Sequence, residues 1–242
     1  MSILPIGTNQ MQPLHRGTLY LVPTPLGNLK DITIRALEVL YQVDFILCED
    51  TRNSSRLLSH YQIKKPLSPY HQHNEHKIWE HITDQLSAGA TVGLITDAGT
   101  PGISDPGYLL VRGCLNRKIR VECLPGATAF VPALVNSGLP AHQFLFEGFL
   151  PLKKGRKTKL LQLSKECRTM IFYESPVRLV RTLHDFLTFF GADRPASVSR
   201  ELSKLHEENF RGNLTEVCNH FSEKPIKGEI VIVVAGSEKG KI

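Results

Sequence analysis

Carboxylates stand beside glycine-containing turns at several points of this chain, each just after a short apolar run. The fullest case is Leu94 to Gly107, LITDAGTPGISDPG. The run Val92 to Ile95 leads into Asp97, and turns follow at Gly99, Pro101 and Gly102 and again at Asp105 to Gly107. In an open α/β sheet, ligands sit at the carboxyl ends of strands, where such loops lie. Glycine lets the main chain approach a ligand closely, and an acid in the loop holds a hydroxyl or a cationic group. The stretch therefore reads as part of a small-molecule pocket. CEDTRNSSR repeats the pattern with Glu49, Asp50 and Arg52. A helix cap accounts for Asp50 or Thr51 alone; it does not account for Glu49 and Arg52 together, so the cluster is expected to face a substrate.

Four further segments place polar groups after apolar runs. LVPTPLGNLKDIT stops a strand with Pro23 and Pro25, which lack N–H donors, and offers Asp31 or Thr33 as a cap. LPGATAF turns at Pro125 and Gly126 and opens a helix, with Thr128 placed to cap it. IFYESPVR and SRELSKLHEE set Glu174, Arg178, Arg200, Glu201 and Lys204 beyond strand ends. Surface ion pairs are worth little, and the recurrence of charge at strand ends favours a lined cleft instead.

Other chemistries are disfavoured. The chain has no Gly-x-Gly and no Walker loop, since KKGRKTK lacks the spacing. His71, His73 and His76 in HQHNEHK match no zinc pattern, so no metal is expected. The five cysteines form no CxxC and are odd in number, which suits a reduced, cytoplasmic protein with free thiols. No run of about 18 apolar residues suggests a membrane span, and the first residues do not resemble a secretion signal. Net charge is +6, and residues 150–170 hold seven cations against the single acid Glu166. A focused basic patch suggests a polyanion such as nucleic acid.

These segments need a scaffold. Up to Leu124, strands expected at 18–22, 45–48, 91–95 and 120–124 alternate with helices at 32–40, 54–61, 77–88 and 108–116. Such alternation implies a mostly parallel sheet. Beyond Pro125, helices are expected at 128–137, 157–164 and 177–190. Strands are expected at 144–147, 169–173, 196–200, 205–211 and 228–235, which indicates a mixed sheet. The expected organisation is two α/β domains, 17–124 and 125–236, with the first 15 residues and the GSEKGKI tail loosely held.

TPLGNLKDIT, EDTR, HQHNE, TDAGTPGISDPG, LPGATA, FEGFLP, FYES, RELSK and KGEIVIV, in this order, closely resemble the bacterial 16S ribosomal RNA cytidine 2′-O-methyltransferases. These belong to the tetrapyrrole-methylase-like superfamily, and the resemblance spans about residues 17–236. It implies S-adenosylmethionine as methyl donor, bound in a cleft between two α/β domains, and a homodimer. It also implies a cytidine ribose in the decoding region of 16S rRNA, on the 30S subunit, as target, with neither DNA nor membrane as partner. By the same resemblance Leu26, Asp97, Thr100, Gly126, Ala127, Thr128, Tyr173 and Glu229 are cofactor candidates.

Glu49, Asp50 and Glu201 are unranked candidates for taking the hydroxyl proton. Arg52, Arg200 and Lys204 are candidates for fixing phosphates, and Lys153, Lys154, Arg156 and Lys157 for gripping more distant RNA backbone. The chain departs from the family at Val177, where His is usual, at Ser203, where Thr is usual, and at Gly102, where an apolar residue is common. No His role is carried over to position 177. Two rival readings are a methyltransferase acting on a tetrapyrrole and a non-catalytic RNA-binding assembly factor.

Overall fold

A computed structural model describes residues 11–223 and 225–238. It divides into two compact units, 1–128 and 129–242. The division falls four residues beyond the expected 124/125 boundary, so Leu124 to Thr128 of LPGATA lie with the first unit and Ala129 opens the second.

The first unit holds β1 (Thr18–Leu21), α1 (Ile34–Gln42), β2 (Phe45–Cys48), α2 (Thr51–His60), β3 (Leu67–Pro69), α3 (Glu75–Ser87), β4 (Val92–Ile95), α4 (Tyr108–Asn116) and β5 (Arg120–Cys123). Its strands pair in the order β3-β2-β4-β1-β5, all parallel. Alternate residues of a strand face opposite sides, and β1 shows the consequence. Tyr20 and Val22 join a core with α1 and α2, while Leu19 and Leu21 join another with α3 and α4. The sheet is therefore covered on both faces, as parallel sheets require.

The connection after β1 passes to α1 on one face, and that after β4 passes to α4 on the other. Since β1 and β4 are neighbours, their carboxyl ends form a topological switch point, the place where open α/β sheets bind ligands.

The second unit holds α5 (Phe130–Ser137), β6 (Phe144–Phe149), α6 (Arg156–Leu163), β7 (Thr169–Glu174), α7 (Leu179–Phe190), β8 (Pro195–Arg200), β9 (Glu208–Asn213), α8 (Leu214–Ser222) and β10 (Ile230–Val234). The order is β6-β7-β10-β8-β9, with β6 and β7 parallel and the remaining pairs antiparallel. Alternation again splits the core. Met170, Phe172, Ile230 and Ile232 pack with α6, α7 and α8, whereas Ile171, Val231 and Val233 pack with α5. Of the expected loose ends, residues 1–10 and 239–242 lie outside the described residues. The tail's beginning is packed, because a Gly236 Cβ would lie 2.0 Å from the Cys167 carbonyl oxygen.

Candidate active site

The register of the first sheet sets Leu21, Cys48, Ile95 and Cys123 at one edge. The loops at 22–28, 49–50, 96–107 and 124–128 all leave from it. At the switch point the first and third of these are joined. Thr24 N–H donates to the Gly99 carbonyl and Gly99 N–H to the Thr24 carbonyl, both at 2.9 Å. The Thr24 hydroxyl donates to the Thr96 carbonyl at 3.0 Å. Gly99 has φ +82°, a left-handed conformation that favours glycine.

The LPGATA loop is tied to the same place. The Thr100 hydroxyl donates to the Ala127 carbonyl at 2.9 Å and lies 2.7 Å from the Thr128 hydroxyl. Gly126 is needed for close approach, since a Cβ there would stand 2.6 Å from Pro23 Cβ. Thr128 does not cap α5, contrary to expectation. The cap position is Ala129, without a side-chain bond, because Thr128 is engaged with Thr100. Leu26, Thr100, Ala127 and Thr128 are half-buried, and Asp97 and Gly126 are exposed.

The acids that follow β2 leave from the same sheet edge. Asp50 caps α2 by accepting from Arg52 N–H at 2.8 Å, and its carboxylate also binds the Arg52 guanidinium at 2.7 Å. Those Arg52 contacts hold its carboxyl down at about 2. Glu49 goes the other way. Burial pushes its carboxyl up and the neighbouring Asp97 charge adds to this, against the Asp97 N–H and His71, which pull it down. Asn53, a residue the sequence reading did not single out, donates to the Asp97 carboxylate at 2.9 Å. Its signal was available: three residues into a helix capped at Asp50, it faces the same edge. His71 sits near Glu49, and its Nδ1 is buried without a partner among the described residues.

In the second unit, Tyr173 is the last residue but one of β7, with its ring 5.1 Å from Phe146, and Glu229 precedes β10. RELSK forms the β8–β9 hairpin loop, in which Glu201 and Ser203 adopt φ +53° and +67°. Such non-glycine conformations cost about 1–3 kcal/mol each and persist only where surroundings over-determine them. Here the Glu201 carboxylate accepts from Glu229 N–H at 2.9 Å and Lys204 Nζ at 2.8 Å. Burial raises Glu201, but Lys204, the Glu229 N–H and Arg200 outweigh it and leave the carboxyl below its ordinary value. Lys204 also reaches Glu229 at 3.2 Å, and Arg200 pairs with Glu208 at 2.9 Å.

The basic segment needs a correction. Lys153, Lys154 and Lys157 are exposed, but Arg156 is buried. It donates to Asp185 at 2.7 Å, to the Thr182 hydroxyl at 2.8 Å and to the Pro151 carbonyl at 3.1 Å. The Thr182 hydroxyl in turn donates to Glu174 at 2.6 Å. Arg156 is therefore a structural tie and not a phosphate grip.

Residues 18–218 match the family of Tetrapyrrole (Corrin/Porphyrin) Methylases. The chain is 49% identical over 222 residues to the ribosomal RNA small subunit methyltransferase I of Synechocystis sp., covering 91% of this chain and 80% of that protein. It is 48% identical to the enzyme of the same name from Thermotoga maritima, covering 92% and 100% respectively. The chain belongs to the ribosomal RNA small subunit methyltransferase I family. Members of this family are methyltransferases, which agrees with the expected enzyme class. The fold also matches a solved structure of uroporphyrin-III C-methyl transferase from Thermus thermophilus complexed with S-adenyl homocysteine. That match has TM-score 0.62 at 20% identity and covers 89% of this chain and 96% of the other. Among the described residues no group of three or more metal-ligating side chains comes together. None of the described helices is long and apolar enough to cross a membrane.

Proposed function

We propose that this protein transfers a methyl group from S-adenosylmethionine to the ribose 2′-oxygen of a cytidine in the decoding region of 16S rRNA, on the small ribosomal subunit. It does so as a cytoplasmic homodimer. The observation that carries this reading is the union of the β1, β4 and LPGATA loops at the switch point, in a chain about half identical to rRNA methyltransferases along nearly its whole length.

The first unit's edge suits the donor. It offers close-approaching backbone at Gly99 and Gly126, the apolar Leu26, and an exposed carboxylate, Asp97, oriented by Asn53. Thr100, Ala127 and Thr128 hold the donor with them, and Tyr173 and Glu229 keep the donor assignment that the family resemblance gives them. When bound, the donor supplies an electrophilic methyl on a positively charged sulfur. Asp97 serves polar groups of the donor away from the sulfur, because an acid beside a charge that is being lost stabilises the starting state.

Glu49 is the proton acceptor. The hydroxyl proton passes to the Glu49 carboxylate as the oxygen takes the methyl and the sulfur–methyl bond breaks, leaving the demethylated donor as a neutral thioether, while Asp97 and Asn53 fix the geometry. Asp50 is engaged as a cap and Glu201 as a brace, and both are held as weaker bases. Arg52, Arg200 and Lys204 remain assigned to phosphates, with Lys153, Lys154 and Lys157 on more distant backbone. Reading a ribose hydroxyl selects RNA over DNA. The test uses purified protein, labelled donor, and either 30S particles or a porphyrinoid acceptor. Label on one cytidine 2′-oxygen of 16S rRNA is expected. Label on the porphyrinoid alone overturns the reading.

A further inference from the structure

Three loops leave one end of the second sheet, and each shows water an apolar side chain. The register fixes that end: Phe149 pairs with Tyr173, Ile230 with Glu174, and Ile230 with Arg200. The segments 150–155, 175–178 and 201–207 all emerge there. Leu152 is 65% exposed, Val177 89% and Leu205 92%. Strands in a sheet lie about 4.8 Å apart, so β7 and β8, with β10 between them, end roughly 10 Å from each other.

Leu205 is held out by a braced loop. Glu201 and Ser203 are both left-handed. The Glu201 carboxylate is fixed by Glu229 N–H and Lys204, and Ser203 N–H donates to Glu207 at 2.7 Å. Leu202 anchors the loop in the core beneath. Gly228 leaves room for Glu201, since a Cβ there would lie 2.4 Å from its side chain. A loop so constrained cannot fold its leucine back. On the loop after β6, which the strand order sets three strand spacings or roughly 14 Å from the end of β8, Lys153 and Lys154 are exposed and make no ion pair among the described residues.

Apolar side chains interleaved with unpaired cations suit a ligand that offers flat apolar faces and regularly spaced negative charge. Unpaired RNA has both, whereas a duplex hides its base faces in the stack. We propose that this end of the second unit binds an unpaired stretch of RNA, with Leu205 packed on a base face and Lys153 and Lys154 on phosphates. The inference deepens the reading above and rests on it for the identity of the polyanion.

The test uses the full chain with a hairpin-loop RNA and a fully paired duplex of equal length. Leu205→Ala is expected to weaken loop-RNA binding about tenfold, the loss of a partly covered leucine side chain, and to leave duplex binding, donor affinity and melting temperature unchanged. In Leu205→Trp, emission is expected to quench on adding loop RNA but not duplex; Trp79 is the only other tryptophan. Unchanged loop-RNA affinity in Leu205→Ala overturns the proposal. So does a change in sedimentation with no change in RNA binding, which makes the patch a contact between copies of this chain. Leu205-dependent RNA binding without any methyl transfer supports this proposal and sinks the enzymatic one.

Discussion

Single residues decide the chemistry here through what already occupies them. Glu49, Asp50 and Glu201 are equivalent as letters, and only their partners separate them. Glu49 is raised by burial first and by Asp97 second. Ionising it in the folded protein is therefore unfavourable. Its contribution to stability is full below the ordinary value of 4.5 and is lost as pH rises through the raised value. Glu49→Gln cannot ionise, so it is expected to melt higher than the parent at about pH 8 and equally at about pH 4. Over the same range kcat falls about 10²–10⁴-fold. Melting scans and steady-state rates at the two pH values check both halves; a variant that loses activity and melts lower at pH 8 removes Glu49 as acceptor. Asp97→Ala is expected to weaken donor binding by at least about tenfold, the loss of one charge-assisted hydrogen bond. Calorimetry with S-adenosylmethionine measures it, and unchanged affinity takes Asp97 out of the pocket.

At the scale of elements, the close approach of Pro23 to Gly126 yields a sharper expectation. A proline ring cannot swing aside as a flexible chain end does, so Gly126→Ala must displace the LPGATA loop. Overpacking of this kind costs about 1–3 kcal/mol, and donor affinity falls with it. Denaturant unfolding and calorimetry read the two losses. Arg156→Ala takes the guanidinium from Asp185 and from the Pro151 carbonyl and should cost about 2–3 kcal/mol, seen as a lower denaturation midpoint.

Most elements were legible because their patterns run for several residues. Phe45–Cys48 and Tyr108–Asn116 are found at the expected limits. β3 was not legible: three residues including Pro69 hold too little alternation to register, and the strand exists because β2 offers it an edge. α8 was missed although its signal is present. Asn213 and Glu216 form a reciprocal capping box, which a reading centred on apolar runs passes over. At the site, the acids and glycines at strand ends were legible from type and position. The Asn53–Asp97 bond and the burial of Arg156 were not, since both depend on contacts between residues distant in sequence.

Over the whole molecule, charge acts through exposure more than through its count. The net charge of +6 is concentrated in residues 150–170, yet several of those cations are spent internally. Arg156 binds Asp185, Lys159 binds Glu147 at 2.7 Å, and Arg168 binds Glu166 at 2.8 Å. Lys153, Lys154, Lys157 and Lys165 are left facing water, the first three close together in the chain. Each phosphate contact adds roughly 0.7 to the salt slope of binding to single-stranded nucleic acid. Changing these three lysines to Glu should therefore flatten the slope by about 2. Donor affinity and melting temperature should stay near parental values, because none of the three supports the core. Fluorescence titration of 16S rRNA fragments across a range of salt concentrations gives the slope. A count of cations predicts that Arg156→Gln flattens it by as much as each lysine does; burial predicts that it lowers stability and leaves the slope alone. If the triple variant keeps the parental slope, the segment does not touch RNA, and the grip must come from Arg52, Arg200 and Lys204 alone.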